Sequence, residues 1–298
     1  MTDRLPSYGG QAVLEGVMMR GTRACAVAVR APDQRILIEY QELPAAYRGR
    51  LARLPFLRGL LVLWDSLALG LRALSFSANV QSGDERPVSP AAMGLTMVAS
   101  FAFAILLFFV APAVVGVAAE RWLAWTTGWA HTLEGVARLA ILLAYLWAVG
   151  RMPEIRRVFA YHGAEHKTIN AFEAGVPLTV EGVAAYPRQH TRCGTSFLLT
   201  VVVFSVILFS LLPPMSLGLR LASRVVAVPL LAALAYEYIR LTARFSARAW
   251  MKPLIAPNLA LQSLTTREPD ASMIEVALAA FQAMKTREDQ PVAASAPG

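Results

Sequence analysis

MGLTMVASFAFAILLFFVAPAVVGVAA, residues 93–119, contains no charged side chain, and neither does the wider stretch 87–119. A hydrocarbon core of about 30 Å takes roughly 20 apolar residues in helical form. The stretch therefore reads as a membrane span with length to spare for tilt, and Pro112 marks a point of kinking. A second uncharged stretch covers 194–219, with TSFLLTVVVFSVILFSLL (195–212) at its centre and Pro213-Pro214 as a stop.

Two weaker spans lie beside these. Residues 131–150 carry Glu134 and Arg138 in the first two turns, and residues 221–239 have Arg224 at one end and Glu237 and Arg240 at the other. A charge at the centre of a span costs about 2.5–3.5 kcal/mol on the insertion scale, whereas one near an end snorkels to the interface. Composition agrees with the membrane reading. Of 298 residues, 56% are hydrophobic and 16% charged, against roughly 25% charged in soluble proteins. The net charge of +8 does not indicate nucleic acid, because no basic run alternates with exposed aromatics. Two cysteines, and no apolar segment before about residue 90 of the kind a secretory signal needs, exclude a disulfide scaffold.

The basic residues set the orientation. Residues 1–92 carry eleven Lys and Arg, the loop 151–193 six and the chain from Arg240 onward seven, whereas the connections near 120–130 and 214–224 hold only Arg121, Arg220 and Arg224. The positive-inside rule then places both termini and the middle loop in the cytoplasm, consistent with an even number of spans, four.

Outside the spans, ACAVAVR and RILIEYQEL flank APDQ, which predicts a β-hairpin of 24–30 with 35–43 in a small N-terminal unit (1–50). Residues 51–77 are apolar but interrupted by Arg53, Arg58, Asp65 and Arg72. They predict an amphipathic helix on the cytosolic face of the membrane or against the bundle, with a buried fifth helix as the competing reading, followed by a linker to 92. A four-span domain (93–241) follows, then a C-terminal segment (242–287). There, Ser272-x-x-Glu275 forms a capping box opening a helix to about Lys285, and 288–298 read as disordered. The fold class is thus a mainly α, polytopic membrane protein with a small β unit.

Three of the four histidines, His162, His166 and His190, fall in the loop 151–193 together with Cys193. The segment 157–175 is helix-compatible and closes on Gly175. Within it, His162-x-x-Glu165-His166 sets two imidazoles on one helical face, able to share a metal ion. This is the inverted zincin spacing, in which the Glu activates metal-bound water. His190-x-x-Cys193 supplies further ligand types. Two arrangements follow from these residues. His162, His166, His190 and Cys193 close a tetrahedral structural site, or three His hold a catalytic divalent ion, most simply zinc, while Glu165 acts as base and Cys193 is a nucleophile or supports the ligands. Glu237 is expected to pair with Arg240, and Asp65 with a nearby Arg. The glycine-rich segment 9–21 matches neither a Walker loop nor a dinucleotide fingerprint and reads as a structural turn.

GGQAVLEGVMMRG (9–21), YHGAEHKTINAFE (161–173), HTRCGTSFLL (190–199), YEYIRL (236–241) and LQSLTTREPD (261–270) resemble, in this order, the signature segments of YqhQ-like bacterial membrane proteins, a family of unknown function labelled a predicted metal-dependent enzyme. The resemblance runs from about Gly9 to Lys285. It implies that Gly10, Gln11, Glu15, Met18, Arg20, Glu237, Arg240 and the turn 265–270 occupy motif positions. The functional expectation is a metal-dependent hydrolase acting on an unknown peptide or lipid-linked substrate. The alternative is a non-enzymatic membrane scaffold or assembly factor with a structural zinc and a protein partner.

Overall fold

In the first strand of the expected hairpin, ACAVAV (24–29), the side chains on both faces are apolar, and both faces find cover. In a computed structural model describing residues 8–43, 54–83, 90–213, 215–246 and 248–290, the hairpin residues form β3 (Ala24–Arg30) and β4 (Ile36–Glu42), with Arg30 opposite Ile36 and Ala24 opposite Glu42. Two further strands, β1 (Gly9–Val13) and β2 (Gly16–Arg20), come from the glycine-rich segment read as a turn, giving an antiparallel sheet in the order β1-β2-β3-β4. Glu15, in the two-residue turn between them, takes a left-handed φ of 51°. Arg157 clamps its carboxylate with two bonds of 2.5 Å, and the Tyr161 hydroxyl donates at 3.2 Å. These bonds offset a backbone cost of about 1–3 kcal/mol.

Val17, Met19, Ala26 and Ala28 pack on helices α5 (Pro153–Glu173) and α11 (Ala271–Asp289). The opposite face, Val13, Met18, Cys25, Val27 and Val29, packs on Leu69 and Ala73 of α1 (Leu57–Ser82). Burying a Val or Met side chain contributes about 1.5–3 kcal/mol, so this small sheet is held as the middle layer of three.

Helix α11 departs from the expected capping box. Asp270, not Ser272, is the N-cap, accepting the Met273 amide at 2.9 Å, and Glu275 reaches Arg30 instead. The Asp270 carboxylate, two residues upstream, is the acceptor that the helix amide meets. The helix continues to Asp289, so Glu288 is helical rather than part of a tail; residues 291–298, and the linker 84–89, lie outside the described residues. Glu288 accepts the backbone amides of Thr22, Arg23 and Ala24, each at 3.0 Å, and clips α11 to the β2–β3 turn. Burial opposes ionisation of this carboxyl, but the Thr22 hydroxyl and those amides outweigh it and hold it below the usual carboxylate range. A depressed carboxyl contributes stability that is present above its unfolded pKa of about 4.3 and lost as pH falls through the folded value. Glu288→Gln is therefore expected to lower stability by about 1.5–3 kcal/mol at neutral pH. In denaturant melts across pH, the gap between variant and parent should close in acid.

The remaining helices are α2 (Pro90–Ile105), α3 (Ala111–Trp122), α4 (Thr127–Val149), α6 (Val180–Ala184), α7 (Gly194–Ser210), α8 (Leu217–Val226), α9 (Val228–Arg244) and α10 (Lys252–Thr265). Among the described residues, four stretches are long and apolar enough to cross a membrane: Leu57–Ser82, Gly94–Trp122, Thr127–Val149 and Gly218–Arg244. This set differs from the sequence reading by one exchange. Helix α7, the most apolar segment, is only 17 residues long, because the chain breaks before Pro213. Helix α1 has that length and hydropathy instead, two of its charges being paired, yet it lies along the sheet. Arg58 binds Glu237 of α9, displacing the expected Glu237–Arg240 pair, and Asp65 binds Arg20 of β2. Gly59 lies against Tyr236, Gly70 against Gln11, and Ser77 donates to the Leu14 carbonyl, so α1 packs against the bundle at α9, one of the two expected placements, and also bridges to the sheet.

Pro112 acts one turn before itself. Lacking an amide, it cannot donate to the Phe108 carbonyl, and residues Leu106–Val110 relax into a π turn between α2 and α3. Arg138 of α4 donates to that carbonyl at 2.9 Å, to Ser205 at 2.8 Å and to Glu134 at 2.9 Å. Glu134, 1% exposed, also takes bonds from Arg220 and Arg224 of α8.

Candidate metal centre

Helix α5 starts at Pro153, with Glu154 in its first turn, and ends where Gly175 turns left-handed at φ 72°. His162 and His166 are one turn apart on it, their ring centroids 4.4 Å from each other. Each ring is oriented by a carbonyl. His162 Nδ1 bonds to the Thr265 oxygen at 2.9 Å and His166 Nδ1 to the Arg188 oxygen at 2.7 Å. A carbonyl accepts only from N–H, so both rings carry the proton on Nδ1 and present a bare Nε2. Carbonyl-oriented imidazoles of this kind are the usual surroundings of metal ligands.

Cys193 completes the group. It is the N-cap of α7, and its Sγ lies 3.3 Å from His162 Nε2 and 2.9 Å from the Thr195 hydroxyl. One ligand atom from each of His162, His166 and Cys193 lies within 4.8 Å of the others. His190 stands apart. Its ring is 5.7 Å from that of His166, and its Nε2 is buried without a hydrogen-bond partner, 3.6 Å from Glu173. The structure thus gathers two of the three expected histidines with the cysteine and leaves the third turned toward a carboxylate. Burial holds His166 below the usual imidazole range, against the opposing pull of Cys193, and so favours the neutral form a metal requires.

Glu165 is buried beside this group and faces β1. Burial pushes its carboxyl up to about 7, while His162 and the Gly10 amide, which it accepts, act the other way. Gly10 has no room for a side chain. A Cβ there would stand 2.9 Å from Glu165 Cγ and nearer still to the Met18 carbonyl, whereas one at Gly9 would meet nothing within 4 Å. Gly10→Ala is expected to cost about 1–3 kcal/mol. Gly9→Ala should leave the melting temperature unchanged, and thermal unfolding of the pair checks both.

Sequence reasoning missed the residues that hold the loop. Gln262, fully buried on α10, accepts the His190 amide at 2.9 Å and donates to the His190 carbonyl at 2.8 Å and to Ser196 at 3.1 Å. Asn170 donates to the carbonyls of Pro187 and Gln189. The segment after α10 crosses α5 at Gly163, where the Arg267 carbonyl occupies the place of a Cβ and the Arg267 amide donates to Phe159 at 2.8 Å. Segments 9–21, 161–173, 190–199 and 261–270 therefore converge on α5. The fifth, 236–241, meets α1 instead.

These four segments fall along a chain whose residues 54–287 match one family, described as a protein of unknown function (DUF1385). The chain belongs to this family. It is also 34% identical over 293 residues to the uncharacterized protein YqhQ of Bacillus subtilis (strain 168), covering 93% of this chain and 91% of that protein. Neither description names a metal or a reaction. No solved structure matches the DUF1385 chain.

Proposed function

We propose that this DUF1385 protein is a multi-pass inner-membrane hydrolase in which His162, His166 and Cys193 hold a divalent ion, zinc, on the cytoplasmic side. The observation that carries the reading is the pair of carbonyl-fixed imidazoles, each of which offers one ring nitrogen to a group of ligand atoms within 4.8 Å that Cys193 Sγ completes. His162, His166 and Cys193 are a donor set that would hold zinc with room for water beside it. Zinc, when bound, would supply a water acidic enough to ionise near neutrality. Glu165 would accept a proton from water at this site and return it to the leaving group. The basic bias of 1–92, 151–193 and the C-terminal region, and the two apolar stretches Gly94–Trp122 and Thr127–Val149 that carry the chain out and back between the sheet and α5, support insertion with both termini cytoplasmic, α1 lying along the sheet.

A second reading, a membrane scaffold or assembly factor stapled by structural zinc, is favoured by His190, whose Nε2 is buried without a hydrogen-bond partner and whose ring lies 5.7 Å from that of His166. Metal analysis and X-ray absorption on the purified protein separate the two. The hydrolase reading expects one zinc per chain with two nitrogens, one sulfur and one water oxygen, lost in His166→Ala. Three nitrogens and one sulfur would establish the scaffold, and absence of metal would sink both.

A further inference from the structure

We propose that the open edge of β1 is the substrate-binding strand of this site, and that the substrate is an extended polypeptide segment paired along it with its scissile peptide bond beside His162, His166 and Cys193. The inference rests on the hydrolase reading above and adds the substrate class to it. Strand β1 ends the sheet and pairs only with β2. A two-residue turn makes Val13 and Gly16 a hydrogen-bonded pair, and antiparallel pairs alternate from there. The amides and carbonyls of Ala12 and Gly10 therefore point away from β2. The Glu165 carboxyl lies against Gly10, its Cγ and Cδ 2.9 and 3.0 Å from where a Cβ would stand. The open edge of the strand thus lies one hydrogen bond from the reacting groups.

Among the described residues nothing pairs with the outward groups of Ala12 or with the Gly10 carbonyl. Gly10 and Gln11 are exposed, and Gly9 and Gly10 carry no side chain to screen the backbone. Unpaired edges are normally blunted by charge or proline. The opposite edge, β4, carries Glu39 and Glu42, whereas GGQAV in β1 carries neither charge nor proline. The free groups of residues 10 and 12 repeat every two residues, roughly 6.8 Å along the strand. Only another main chain offers donors and acceptors at that repeat, which selects a polypeptide over a sugar or a lipid headgroup. In the reaction Glu165 takes a proton as the water oxygen adds to the peptide carbonyl carbon. The C–N bond then breaks, and Glu165 returns the proton to the departing amine, giving a carboxylate and an amine with no change of oxidation state.

The test uses the full wild-type chain, zinc-loaded in detergent, with a pool of quenched-fluorescent linear peptides and with p-nitrophenyl acetate, an ester that needs no strand pairing. The best-cleaved peptide is then made in two forms, N-methylated at one or the other set of alternate residues, with the scissile amide left intact. One form is expected to lose at least about tenfold in kcat/KM and the other to stay within about twofold, since only one set of amides faces β1. Equal behaviour of the two forms overturns the proposal. Ester hydrolysis without cleavage of any peptide also overturns it while leaving the hydrolase reading in place. If neither probe is hydrolysed, the hydrolase reading itself fails.

Discussion

Glu165→Gln is expected to keep a full complement of zinc and to lose about 10²–10⁴ in turnover, the usual contribution of a positioned proton acceptor. The two halves of this result have separate origins. Metal binding depends on His162, His166 and Cys193, whose orienting partners are Thr265, Arg188 and Thr195, and the exchange disturbs none of these contacts. The amide has the shape of the carboxyl it replaces, and its oxygen still accepts the Gly10 amide, so β1 stays in place. What it lacks is the capacity to take a proton. Zinc content by mass spectrometry and p-nitrophenyl acetate hydrolysis, measured on one preparation, read both halves. Undiminished turnover would remove Glu165 from the chemistry and overturn the mechanism proposed for it.

The second large effect is expected far from that centre. Glu134 accepts five N–H bonds from Arg138, Arg220 and Arg224, and Arg224 is 0% exposed. Removing one partner of a buried ion pair typically costs about 3–5 kcal/mol, because the surviving charge is stranded. Glu134→Gln strands parts of three guanidinium groups at once, with only Glu120 at the rim as a remaining carboxylate for Arg220. The expected outcome is loss of monodisperse protein in detergent, or a melting temperature lower by well over ten degrees if the protein survives extraction. Replacing Arg138 by Met alongside Glu134→Gln should recover part of the loss. A variant as stable as its parent would mean that the arginines find other acceptors.

How far the sequence foretold this depended on whether each signal was local. The β3–β4 hairpin, the helix carrying His162 and His166, and its stop at Gly175 rest on periodicity and turn chemistry within a few residues, and all three appear. The departures are long-range. Arg58 and Asp65 looked too polar for a membrane-length helix until Glu237 and Arg20, distant in the chain, neutralised them. Strands β1 and β2 were hidden because their glycines suggest turns, while the pairing that makes them strands involves Val17, Met18 and Met19 across the sheet. At the candidate centre the ligand types were legible from spacing. The choice of Cys193 over His190 was not, because it is made by Gln262, whose two bonds to the His190 backbone no local pattern announces.

The arginine cluster also has a consequence for the order of biogenesis. Read as a span, α4 meets the bilayer carrying Glu134 and Arg138, which are one helical turn apart and form a neutral pair within their own helix. Arg220 and Arg224 are 86 and 90 residues further along. At roughly 5–20 residues per second of synthesis, they arrive about 4–18 s later. During that interval α4 is electrically self-sufficient, and the Phe108 carbonyl freed by Pro112 already offers Arg138 a second acceptor. On that reading the late arginines are the ones that cannot enter alone. They need Glu134 already in place, so the first half of the helical domain would serve as the receptor for the second, and a chain truncated before Arg220 is expected to insert where one lacking Glu134 stalls.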